Sequence, residues 1–128
     1  MKLIVTHRAC DLDAVASAWV IKRFLPGWEN AEFKFVPAGE KLAGKYIRTG
    51  GIIEKIDGHD VIHVDTGLGP LDHHQTEDEN TCAASLAFDY VLKHNDPLDK
   101  NENKKEALKR IVEYVIDDDH FQEVFYHN

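Results

Sequence analysis

Three groups of residues in this 128-residue chain carry side chains able to bind metal ions or move protons. The first is His7, Asp11 and Asp13, a His-x-x-x-Asp-x-Asp pattern. The second is Asp65, followed after a Gly-rich turn by Asp72, His73 and His74, and the third is the run Asp117, Asp118 and Asp119. Crowded carboxylates repel one another, and a divalent cation relieves that repulsion while taking their oxygens and the imidazole nitrogens as ligands. Mixed Asp and His ligation without thiolates suits Mn²⁺, Mg²⁺ or Co²⁺ better than structural zinc. Each group also has a purely structural reading. Asp11 can be a helix N-cap with His7 on the surface, Asp65 a turn former before Gly67, and the terminal acids a solvated helix end.

The elements that position these residues follow from hydrophobic period and punctuation. The run Lys2 to Thr6 (KLIVT) predicts a buried strand that ends beside His7. From Leu12 to Phe24 the apolar residues Val15, Ala16, Trp19, Val20 and Phe24 recur at helical spacing, with Asp11 at the N-cap position and Pro26-Gly27 as the stop. Glu32 to Val36 (EFKFV) predicts a second strand and Asp60 to Val64 (DVIHV), after the turn residues Asp57-Gly58, a third. The Gly-rich stretch from residue 37 to 56 carries no assignment. A helix is expected from about Thr81 to Lys93, a surface loop over HNDPLDKNENKK, and a last helix from about Lys104 towards Asp119. On that helix Leu108, Val112 and Val115 share one face. Asp119 falls near its middle and Asp117 on the opposite side, so Asp119 is the inward choice among the terminal acids. Strand, helix, strand order predicts an α/β fold with a mostly parallel sheet flanked by helices. His7 and Asp65 then stand at carboxyl ends of strands, where open α/β sheets bind ligands.

With these motifs in place, the chain resembles the DHH phosphoesterase family, named for the motif that stands here as Asp72-His73-His74. The resemblance runs from His7 through Asp119 as an ordered series of separated motifs. The stretch VIHVDTGLGPLDHHQ is more similar to the Myg-type branch of DHH-like hydrolases than to RecJ-type exonucleases, whereas Asp11 stands where that branch carries a second His. The resemblance implies a Rossmann-like three-layer fold and a two-metal site, Mn²⁺ being the leading choice. His7 and Asp11 would hold one ion, Asp13 and His73 the other, with Asp65 bridging and Asp119 as the last ligand of the second ion. His74 would meet the substrate phosphate, and Asp72 would act as a partner behind the ligands. The implied activity is hydrolysis of a phosphodiester or phosphoanhydride bond in a short single-stranded oligonucleotide or nucleotide-like substrate. The family normally adds a C-terminal domain that closes the site, and the length here predicts one DHH-type domain over residues 1–128 without it. That leaves room for a non-catalytic binding module, or for an enzyme completed by a homodimer or a partner chain.

Composition bounds these readings. With 15 Lys plus Arg against 23 Asp plus Glu, the formal charge is −8, a poor match for long duplex nucleic acid or an anionic membrane. Two divalent ions would raise it to −8 + 4 = −4 and make the pocket locally cationic, which fits small phosphorylated substrates. No apolar run approaches the roughly 18 residues of a spanning helix, and the five-residue run in MKLIVTHRACDLD is no secretory signal, so a cytoplasmic protein is expected. Cys10 and Cys82 fit neither a disulfide scaffold nor a thiolate zinc site, and reduced thiols are expected.

Overall fold

Among the described residues, five strands and four helices follow one another as β1 (Lys2–His7), α1 (Leu12–Phe24), β2 (Glu32–Val36), β3 (Tyr46–Ile47), β4 (Glu54–Ile56), β5 (His59–His63), α2 (Ala83–His94), α3 (Asp96–Asp99) and α4 (Glu102–Tyr126). This is a computed structural model, and it describes residues 1–8, 11–47, 51–66, 71 and 82–126, with side chains up to Asp119. The fold is α/β, with one sheet ordered β2-β1-β5-β4-β3.

The sheet is mixed rather than mostly parallel. β1 pairs parallel with both β2 and β5, while β3–β4 and β4–β5 are antiparallel. The reason lies at Asp57-Gly58, whose φ angles of 50° and 83° are both left-handed. Such a two-residue turn folds β4 back onto β5 as a tight hairpin, so the stretch without an assignment forms the antiparallel half. α3 likewise occupies part of the expected loop, with the Asn95 side chain accepting from Leu98 N–H at 3.1 Å. α4 runs past Asp119 to Tyr126.

Strand alternation sorts the core into two faces. Ile4 and Ile62 pack with Ala18 and Ile21 of α1, Phe88 and Val91 of α2 and Val112 of α4. On the other face Leu3, Val5 and Val61 are covered by Leu42 and Tyr46, not by a helix, among the described residues. Fully buried aliphatic side chains such as Ile4, Ile21 and Ile62 each contribute about 1.5–3 kcal/mol relative to exposure. α1 begins where expected, with the Asp11 carboxylate accepting from Ala14 N–H at 2.9 Å. Its buried side matches the expected stripe in part, with Ala16 and Val20 buried as expected. Ala14, Ala18 and Ile21 face inward, whereas Val15 and Trp19 stay 55% and 41% exposed beside the edge strand β2.

Candidate metal centre

Because β1 and β5 are parallel neighbours, their carboxyl ends lie at the same edge of the sheet, and residues distant in sequence meet there. His7 ends β1. Asp65 follows β5, after Val64 N–H has extended the ladder to Val5 O at 2.8 Å. The His7 Nε2–H donates to Asp65 Oδ2 at 3.0 Å, with the two residues 6% and 1% exposed. Asp11, capping α1 just beyond, brings Oδ1 to 4.0 Å from the same nitrogen. One ligand atom from each of His7, Asp11 and Asp65 lies within 4.8 Å of the others, and this is the sole such cluster among the described residues.

Two features bear on what this cluster could hold. Two carboxylates within 4.8 Å repel by about 3 kcal/mol at an effective dielectric of about 20. A divalent cation converts that repulsion into ligation, and the nitrogen and oxygen donors fit Mn²⁺ or Mg²⁺ class ions. Asp65 also sits at φ 57°, the left-handed region that a non-glycine residue enters at a cost of about 1 kcal/mol. Its backbone N–H donates to Leu71 O at 3.0 Å, which holds the turn in that shape and aims the carboxylate at His7. Strain kept at a buried carboxylate is a common property of functional positions.

Asp13 is placed differently. It is 2% exposed, and its two oxygens accept from Ala84 N–H at 2.8 Å and Ala83 N–H at 3.0 Å, the first amides of α2. A buried carboxylate on a helix N-terminus is stabilised by charge-assisted hydrogen bonds and by the helix dipole. No local pattern announces this contact, which spans 70 residues of sequence. Asp119 lies on the buried side of α4 with Val112 and Val115, one carboxylate oxygen shut away from solvent, while Asp117 is exposed as its helical position predicts. Neither Asp13 nor Asp119 belongs to the cluster of His7, Asp11 and Asp65. Asp72, His73 and His74 lie outside the described residues.

Among the remaining polar groups, His63 is structural. Leu42 N–H donates to its Nε2 at 3.1 Å and its Nδ1–H donates to Glu54 Oε1 at 3.1 Å, which ties residues 37–46 to the sheet. Burial holds its pKa below the ordinary value, against the pull of Glu54. Cys82 is fully buried, and its thiol is pushed up to about 12, first by burial and then by the Asp13 carboxylate. Arg8, beside the first ligand, is exposed and engages through its backbone N–H, which donates to Val36 O at 2.7 Å.

No family model, curated protein or solved structure matches the chain. No helix among the described residues is long and apolar enough to cross a membrane.

Proposed function

We propose that the chain is a metal-dependent phosphoesterase of the DHH type, acting in the cytoplasm on a small phosphorylated compound or a short single-stranded oligonucleotide. The observation that carries this reading is the convergence of His7, Asp11 and Asp65, from three separate elements, at the carboxyl edge of the parallel strands. In the reading, His7 and Asp11 would hold the first ion and Asp65 would serve both ions. Asp13, His73 and Asp119 complete a second ion, His74 contacts the phosphate, and Asp72 supports the ligands. When bound, such ions supply an acidified water and a clamp on the phosphoryl oxygens. The protein's own part is to fix donor positions. His7 ends β1, Asp65 follows β5, and α1 presents Asp11 at its N-terminus, where the helix dipole favours negative charge.

The engagement of both Asp13 oxygens with α2 favours a second reading, a module that binds one ion without turnover. The same experiment separates the two. Hydrolysis of bis-p-nitrophenyl phosphate and of a dinucleotide is followed with Mn²⁺ present, in parallel with calorimetric Mn²⁺ titration. The phosphoesterase reading expects turnover that Asp65→Ala abolishes. Binding of one ion per chain without turnover supports the module, and equal activity in wild type and Asp65→Ala sinks both.

A further inference from the structure

β2 is one of the two outer strands of the sheet, with no partner on its far side among the described residues. Arg8 N–H donates to Val36 O across the parallel β1–β2 pair, so Glu32, Lys34 and Val36 turn their backbone groups towards β1. By strand alternation the N–H and C=O groups of Phe33 and Phe35 point outward from the edge. Their rings stand on the helix-bearing face, in register with Ile4 and Thr6, yet remain 41% and 50% exposed. Together with Val15 and Trp19 of α1 they line an apolar groove of about 570 Å³. An open edge flanked by uncovered aromatic side chains is a template for strand addition unless it is blocked, and no proline or bulge blocks this one.

We infer that β2 pairs antiparallel with β2 of a second copy of this chain, centred on Phe33, joining two sheets edge to edge. Charge selects both the occupant and the register. Centred on Phe33, the outward backbone groups of Phe33 in the two copies bond to one another, and Glu32 of each copy lies opposite Lys34 of the other. Glu32 and Lys34 are exposed and have no ion-pair partner among the described residues. The neighbouring register, centred on Lys34, would set the two Lys34 side chains face to face and is disfavoured by that repulsion. Ala31 N–H is already donated to Trp28 O, so the ladder stays short, and apolar contact carries much of the attraction. On the helix side the two Phe33 rings then lie opposite one another, with each Phe35 opposite Ala31 of the other copy and diagonal to its Phe33, beside the grooves lined by Val15 and Trp19. A two-fold axis makes the contact self-complementary and closed, so it yields a dimer rather than a fibre.

The test is sedimentation equilibrium of the full chain across micromolar concentrations, with circular dichroism to confirm folding. Wild type is expected at twice the 14.6 kDa chain mass. Glu32→Lys and Lys34→Glu each place like charges opposite one another twice per dimer and should each weaken association at least about tenfold. The double variant E32K/K34E restores both pairs and should recover the dimer, and mixing the two single variants should give a heterodimer. Ile111→Glu alters the other exposed apolar face, on α4, and should leave the dimer intact. A monomeric wild type overturns the inference. So do single charge variants that dimerise as well as wild type, or a double variant that stays monomeric. None of these outcomes depends on metal binding, so this surface stands or falls separately from the proposed activity.

Discussion

Asp13→Ala, measured with a chelator present, separates a structural carboxylate from a metal ligand, because without metal only the structural role costs stability when it is lost. In the fold, both Asp13 oxygens serve the first amides of α2, at 2.8 and 3.0 Å, in a site only 2% exposed. Truncation leaves two buried N–H groups without an acceptor, each costing about 1–3 kcal/mol. Removing the buried charge returns part of that, since the carboxylate no longer has to be held away from water. The balance is about 3 kcal/mol, above the roughly 1 kcal/mol of an exposed N-cap. At an m-value of about 1.5 kcal/mol per molar, this lowers the urea midpoint by about 2 M and Tm by roughly 10 °C. Asp13→Asn keeps one carbonyl acceptor and should lose about half as much. The assay is urea unfolding followed by circular dichroism, with EDTA present throughout so that no metal contributes. An unfolding free energy for Asp13→Ala that stays within about 0.5 kcal/mol of wild type in EDTA would refute the capping argument.

Three further outcomes follow from the geometry. Asp65→Asn keeps a residue type that tolerates the left-handed backbone at φ 57° but removes the anionic ligand. Mn²⁺ affinity should fall at least about tenfold with Tm in EDTA unchanged or raised, and unaltered affinity would count against the site. For His63, burial depresses the folded pKa below the ordinary 6.5, so the unfolded chain takes up the proton first as pH falls. Stability should therefore drop as pH falls below about 6.5, until the folded value is passed. His63→Gln should flatten the urea midpoint between pH 7.5 and 5.5, and an unchanged slope would contradict this. In a Cys10→Ser background, Cys82 should resist Ellman's reagent at pH 8, with its thiol held up at about 12, and label only on unfolding. Rapid labelling of the native protein would show that the N-terminus of α2 is open.

Much of the architecture was legible because its signals are local. The limits of α1 and β2 are set by an N-cap, a Pro-Gly stop and a short alternating run, and the structure reproduces both ranges. The antiparallel half was less legible. Ile52 and Ile53 precede a strand of three residues, too short for any period to show, and its identity depends on the Asp57-Gly58 turn acting as a hairpin. The outer side of α1 was misjudged for a related reason. Helical spacing names an apolar stripe but not which part of it is covered: Ala16 and Val20 are buried, whereas Val15 stays exposed and Trp19 meets the edge of the Phe24 ring and the groove beside β2.

The sequence by itself determined which residue types can ligate a metal and that His7 and Asp65 close strands, because composition and local period suffice for that. Only the tertiary structure decided that β1 and β5 are adjacent and parallel, which sets an imidazole and a carboxylate 58 residues apart at 3.0 Å. It also decided between two uses of one motif. Asp11 and Asp13 are two residues apart at the start of α1, yet the first meets His7 and the second turns to α2. Asp11 is the extended N-cap and Asp13 a first-turn residue, and successive helical residues point about 100° apart, so near neighbours in sequence serve different surroundings. Which surroundings those are is a property of long-range packing, and no local spacing encodes it.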